Sequence, residues 1–334
     1  MPNLKSKFLL WFLGIFSVSF ILVGCNISKN YNEEASSEDL IRIGFSQIGA
    51  ESDWRIANTK SMKAALSNEN GFELIYSDAQ QKQENQIKAV RDFIAQEVDI
   101  IVIAPVTESG WEAVLMEAKA AGIPVILVDR KINVSDPSLY TCWVGSNFEK
   151  EGENAAKWLV DYTIRQGREK EKYNIVVLKG TVGSSATIGR TKGFDDTIKL
   201  YQNFNVLEEQ SGEFTQAKGQ EVMKALLKKY NKIDVVVSQN DNMSFGAIDA
   251  IKAAGKRPGK DIVIVSFDAV RAAFESMITG EMNASIECNP LHGPRVAKLA
   301  KQILNGEKVE KFQNVEEKVY SADQAATVLP ERQY

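Results

Sequence analysis

The sequence predicts an α/β protein built of two similar lobes, each a doubly wound parallel sheet. Three observations predict it. Short apolar runs alternate with segments of helical periodicity, the pattern of a parallel sheet covered by helices on both faces. The runs at 100–104, 125–128 and 262–265 are apolar throughout, as strands buried on both faces are. One unit also occurs twice: strand 100–104, helix, Ala120-Ala121-Gly122, strand 125–128, Asp129, and later strand 235–238, helix, Ala253-Ala254-Gly255, strand 262–265, Asp268. In both copies a glycine is placed for the left-handed helix C-cap. In both copies an aspartate stands at the carboxyl end of the second strand, the edge where open parallel sheets bind ligands.

The chain has 334 residues, 44 % hydrophobic and 25 % charged, which is ordinary globular composition and enough for two cored domains. Net charge is −4 and the body carries no basic cluster, which argues against a nucleic-acid partner.

Taken in order, the chain opens with Lys5 and Lys7 ahead of an apolar run at 8–23. That run is shorter than the roughly 20 residues of a spanning helix and reads as a secretory signal. Its end, Leu22-Val23-Gly24-Cys25, resembles a bacterial lipobox. The resemblance implies cleavage before Cys25, lipidation of its thiol, and a protein exported and anchored on the extracytoplasmic face of the membrane. Residues 25–39 are polar and acidic and read as a flexible tether.

Strand 41–46 opens the fold, followed by a polar loop at 47–53. Helix 54–66 sets Ile56, Met62, Ala65 and Leu66 near one face. Strand 72–76, helix 83–96 with the stripe Ile87, Val90 and Ile94, and strand 100–104 follow. After helix 110–121, Pro124 opens strand 125–128, where a missing N–H costs least. A fifth strand is expected at 140–145. The pattern then restarts with helix 149–165, strand 174–179, helix 186–200, strand 205–208 and helix 216–229. Strand 233–238, a helix at 241–254 capped by Asp241, and strand 262–265 complete the second copy. Strand 284–287, helix 296–304, strand 315–320 and a tail at 321–334 close the chain. Trp111 and Trp158 fall on helix stripes and are expected in the core.

Common catalytic signatures are missing. No Gly-x-Gly-x-x-Gly follows a strand, and residues 183–190 do not have the spacing of a phosphate loop. There is no Gly-x-Ser-x-Gly elbow. The one histidine, His292, reads as a helix-entry residue, which leaves no His-based triad or His-rich metal site. No catalytic residue, metal or cofactor is therefore expected. Cys142 and Cys288 read as buried free thiols rather than a disulfide.

Polar and aromatic residues instead collect after strands. Gln47, Glu51, Trp54 and Arg55 follow the first strand, and Asp129 and Arg130 the fourth. Arg190, Phe214, Asn240 and Asp268 follow strands of the second copy, and Asn289 stands at the return to the first lobe. Carboxylates, amides and guanidinium forks serve hydroxyl groups. Trp54 and Phe214 offer flat walls to C–H faces. The mixture suits a neutral, polyhydroxylated ligand.

Specific motifs carry a resemblance that runs from residue 41 to the C-terminus. They are Gly44-Phe45-Ser46-Gln47, Trp54-Arg55, the polar run at 80–91, Val128-Asp129-Arg130, Gly180-Thr181-Val182-Gly183 and Ser211-Gly212. The chain is similar to the sugar-binding proteins of ABC importers, of the ribose/galactose-binding type (periplasmic binding protein type I), and within them to galactofuranose-binding members. The resemblance implies a monosaccharide held between the lobes by the residues named above, delivered to an ABC permease in the membrane by a monomeric, non-enzymatic receptor. It implies a three-strand hinge near 145–147, 288–289 and 319–321. Lobe 1 is then residues 40–146 and 289–319, and lobe 2 is 147–288 and 320–334. The same fold also serves as a sugar sensor for a chemotaxis receptor or sensor kinase. Arg55 stands where ribose binders of this type carry a second aromatic residue, which speaks against ribose.

Overall fold

The apolar runs pair into two separate sheets in the computed structural model, which describes residues 40–334. The leader 1–24, Cys25 and the tether 25–39 lie outside the described residues. In the first half the elements are β1 (Ile41–Gln47), α1 (Asp53–Ala65), β2 (Phe72–Asp78), α2 (Gln83–Ala95), β3 (Ile100–Ile103), α3 (Glu112–Ala120), β4 (Val125–Val128) and β5 (Cys142–Gly145). The second half has α4 (Phe148–Arg165), β6 (Tyr173–Lys179), α5 (Ser185–Ile198), β7 (Phe204–Ser211), α6 (Gln216–Lys229) and β8 (Val235–Ser238). It continues with α7 (Asp241–Ala253), β9 (Val263–Asp268), α8 (Arg271–Ile278) and β10 (Ala284–Glu287). The chain ends with α9 (Gly293–Leu304), β11 (Phe312–Asn314), β12 (Val319–Ser321) and α10 (Ala325–Val328).

The sheet orders are β11-β5-β4-β3-β1-β2 and β12-β10-β9-β8-β6-β7. The repeated unit thus gives β4 and β9 equivalent places in equivalent sheets. Every pairing is parallel except β12 against β10. Side chains alternate across each strand, so both faces of β4 are buried differently. Ile126 and Val128 pack with Met62 and Val296 of α1 and α9, while Val125 and Leu127 pack with Phe93 and Trp111 toward α2 and α3. Lobe 2 repeats this, with Val236 and Ile264 on one face and Val235, Val237 and Val265 on the other. Trp111 and Trp158 are both buried, as their stripes predict. Cys142 and Cys288 are buried free thiols.

Three expectations need correction. Residues 315–320 do not form one strand: β11 adds to the first sheet and β12 to the second, so the chain crosses between lobes at 315–318. Val319 already pairs with Ile286, which moves that crossing ahead of the expected 319–321. Asn240, not Asp241, caps α7, its side chain accepting from the Met243 N–H. The Asp241 carboxylate turns inward instead and accepts from Ser266, Ser285 and the Val270 N–H.

Candidate ligand-binding cleft

The carboxyl edges of the two sheets face each other, and their loops line one cavity. Lobe 1 supplies Glu51, Ser52, Trp54, Arg55, Asp129 and Arg130. Lobe 2 supplies Ala186, Arg190, Phe214, Asn240 and Asp268, with Cys288 from the crossing. The lobes touch directly around it. The Asp53 N–H donates to Asn242 Oδ1 (3.0 Å), the Lys131 N–H to Ser185 Oγ (2.8 Å), and the Glu108 N–H to the Gly183 carbonyl (2.9 Å). Trp54, Arg55, Asp129, Arg130, Arg190, Phe214, Asn240 and Asp268 are each only 2–5 % exposed.

Ser52 caps α1 and so fixes the turn that delivers Trp54 and Arg55. Arg55 donates through Nη2 to Asp129 (2.6 Å) and through Nε to Glu51 (3.1 Å). Its Nη1 and Glu51 Oε2 are buried without a partner, a donor and an acceptor free for a hydroxylated ligand. Trp54 donates its indole N–H to the Cys288 carbonyl (2.6 Å), which holds the ring upright in the hinge, and Arg55 lies 4.5 Å over its face. His292 meets the same ring edge-on, and burial pulls its pKa down to about 4, so it stays neutral. Arg130 donates to the Val106 carbonyl (2.8 Å) and lies 5.1 Å from the Phe214 ring of the other lobe.

In lobe 2, Arg190 donates to Glu151 (2.6 Å) and to the Gln239 carbonyl, and reaches Asp268 at 3.4 Å. Phe214 fits only because residue 180 is glycine; a Cβ there would fall 1.9 Å from the ring. The side-chain amide of Asn240 is occupied at both ends, capping α7 and donating to the Phe214 carbonyl.

Asp129, Phe214 and Asp268 have φ of 64°, 61° and 103°. Left-handed backbone at such residues costs on the order of 1–3 kcal/mol each and persists where the surroundings over-determine it. At Asp129 they do: its N–H donates to the Val144 carbonyl and its own carbonyl accepts from the Trp143 indole.

Burial opposes charge on Asp129, but Arg55 and then Arg130 overcome it and hold its carboxyl below the usual range. Burial pushes Asp268 well above that range, with Arg190 only partly compensating. Burial and the adjacent Arg55 lower Arg130 to about 10, which still leaves it charged at neutral pH.

Nine of the eleven residues singled out from the sequence line this cavity. Gln47 does not: its amide donates to Asn58 and Thr59, and its carbonyl accepts from the Ile48 N–H, bracing α1, the helix that carries Trp54. Asn289 does not either; its side chain accepts from the Leu291 N–H in the second crossing. Ser52, Ala186 and Cys288 complete the lining without being among the eleven. Ser52 had a local signal, an N-cap residue directly before Asp53-Trp54; Ala186 had none.

Comparison with known proteins places this geometry in a family. The family described as periplasmic binding protein domain matches residues 43–308. The galactofuranose-binding protein YtfQ of Escherichia coli (strain K12) is 45 % identical over 296 residues, covering 87 % of this chain and 91 % of that protein. A Mycobacterium smegmatis structure in complex with β-D-fucofuranose superposes with a TM-score of 0.85 at 44 % identity, covering 88 % of this chain and 95 % of the other. The periplasmic binding protein component of the arabinose ABC transporter from Shewanella sp. ANA-3, bound to α- and β-L-arabinofuranose, superposes at 0.83 with 45 % identity, covering 87 % and 95 %. YtfQ and the Shewanella protein are binding proteins, not enzymes. With its two parallel-sheet lobes closed over a shared cleft, the chain belongs to the periplasmic binding protein family, type I fold.

Proposed function

We propose that this protein captures a monosaccharide in its furanose form between the two lobes and delivers it to the permease of an ABC importer. The observation that carries the reading is one cavity lined from both lobes by guanidinium groups, carboxylates and two aromatic rings, two of whose lining residues, Arg55 and Glu51, keep a buried polar atom without a partner. Forked donors and paired acceptors fit vicinal hydroxyls, and Trp54 and Phe214 fit the C–H faces of a ring. The furanose preference rests on relatives named for galactofuranose or found with fucofuranose and arabinofuranose. Closure about the three crossings buries the sugar and adds the contacts from Arg190 and Asp268. The closed pair of lobes then presents one composite surface to the permease, so geometry reports ligand state.

A thermal-shift screen of the mature protein tests this. L-Arabinose, D-fucose and D-galactose at about 100 times their Kd stabilise by roughly 2.7 kcal/mol, while D-glucose does not. No stabilisation by any sugar removes the reading. Membrane attachment through lipidated Cys25 belongs to the same proposal, supported by Leu22-Val23-Gly24-Cys25. Cys25→Ala releases the protein to the soluble fraction or leaves it unprocessed; unchanged attachment with an unlipidated wild-type N-terminus contradicts it.

A further inference from the structure

A pair of glutamates lies behind the cleft lining, where the crossings meet. Glu151 lies on the buried stripe of α4, between Phe148 and Ala155. Next to it Gly152 leaves no room for a Cβ, which would fall 2.2 Å from the Arg190 carbonyl, and at Gly193 a Cβ would fall 1.9 Å from the Glu149 carbonyl. These two glycines let α4 and α5 approach closely enough for Glu151 Oε2 to accept from Arg190 Nε. The other oxygen, Oε1, is buried and has no partner.

Glu317, in the third crossing, faces it. A carboxylate oxygen of each lies within 4.8 Å of the other and of Cys288 Sγ. Glu317 Oε1 accepts from Ser146 Oγ and from the Asn289 N–H. All three crossings therefore meet at this carboxyl group: Ser146 from the first, Cys288 and Asn289 from the second, Glu317 itself from the third. The remaining charged groups facing the pair are Arg190 from α5, Asp268 from β9 and Asp129 from the end of β4.

Two carboxyl groups this close, Glu151 buried and Glu317 half-buried, do not both carry charge. Arg190 already sits on Glu151 and two donors already sit on Glu317, so a proton fits between them better than a metal ion does. We propose that Glu151 and Glu317 share one proton when the lobes are closed, making them positioning residues for Arg190, and that sugar capture is therefore accompanied by proton uptake. The inference rests on the sugar-binding reading. In the closed protein Glu317 carries the proton and donates to the orphaned Oε1 of Glu151, while Glu151 keeps the charge that aims Arg190 into the cleft. Opening the hinge moves the third crossing against α4 and admits water. A hydrated glutamate ionises near pH ~4.3. In the closed protein burial, then the neighbouring Glu151, push Glu317 up to about 9. A group whose pKa rises on closure binds a proton on closure between those two values. Affinity is then highest at low pH and falls as pH rises through that window.

Calorimetry with L-arabinose at pH 7.5, in two buffers of different ionisation enthalpy, reads the proton directly. At full coupling the wild type takes up about one proton per sugar, and its affinity falls roughly tenfold per pH unit between pH ~6 and ~8. Glu317→Gln keeps a donor toward Glu151 but cannot titrate, so its proton uptake vanishes and its pH profile flattens. Glu317→Ala, which removes the donor, binds about tenfold more weakly than Glu317→Gln. Wild-type heats that do not depend on buffer, or equal uptake by Glu317→Gln, overturn the proposal. If no sugar binds at all, the sugar reading itself has failed, and carboxyl ¹³C NMR of the protein cross-linked between its lobes in the closed form still decides the shared proton. A glutamate carboxyl titrating above pH ~7 that disappears in Glu317→Gln supports it, and no such resonance overturns it.

Discussion

Asp129 and Asp268 end equivalent strands of equivalent units and share a positive φ, yet their surroundings differ in sign. Asp129 lies 2.6 Å from Arg55 and 3.9 Å from Arg130, and its carboxyl is held below the ordinary range. Asp268 reaches one guanidinium, Arg190, at 3.4 Å, and shares it with Glu151; burial and the nearby Asp241 push its carboxyl well up. A duplicated backbone has thus been given two electrostatic roles. Lobe 1 carries a preformed anion gripped by two forks. Lobe 2 carries a weakly engaged carboxyl group beside an arginine that is held mainly from α4.

The largest test of that contrast is Asp129→Asn. Taking the charge from a buried cluster with two guanidinia costs about 3–5 kcal/mol of stability and abolishes sugar binding. Denaturant unfolding and calorimetry measure both; a loss under ~1 kcal/mol would make the two lobes alike. The aromatic walls come next. Trp54→Ala weakens sugar binding by about 1–3 kcal/mol, and unaltered affinity takes Trp54 out of the site.

Asp268→Asn has the smallest effect on stability, below ~1 kcal/mol near neutral pH, because the group replaced is already held toward its uncharged form. Its pH signature is the sharper reading. A carboxyl held below its unfolded value of about 3.9 adds stability above that pH and loses it as pH falls, which is the case of Asp129. A carboxyl raised above it loses stability as pH rises toward its folded value, which is the case of Asp268. The stability of Asp268→Asn relative to wild type therefore grows with pH, while that of Asp129→Asn shrinks. Parallel slopes would erase the distinction.

The sheets were legible because buried parallel strands leave short apolar runs and because Ala-Ala-Gly before a strand marks the end of a helix. Asp129 and Asp268 were legible for the same reason, as the first polar residues after such runs. The failures fall where local pattern carries no address. Residues 315–320 begin and end on apolar side chains, but β11 stops at Asn314 and β12 starts at Val319, limits set by the crossing between lobes. Helix α8 begins three residues after Asp268 and is too short to show a period. Gln47 and Asn289 flank the cleft in sequence, yet the Gln47 amide is consumed by α1 and the Asn289 carbonyl by its own loop. Glu151 did leave a signal, a carboxylate at the i+3 position from Phe148 on a buried stripe, but its partners Arg190 and Glu317 are distant in the chain.

The central claim is that one sugar is held by both lobes at once. Small-angle X-ray scattering of the mature protein, titrated with L-arabinose while occupancy is followed by calorimetry, tests it most directly. The account predicts a radius of gyration that contracts in step with occupancy and reaches the value of the closed structure at saturation. Full occupancy with an unchanged radius would contradict it, because a single lobe would then be holding the ligand alone.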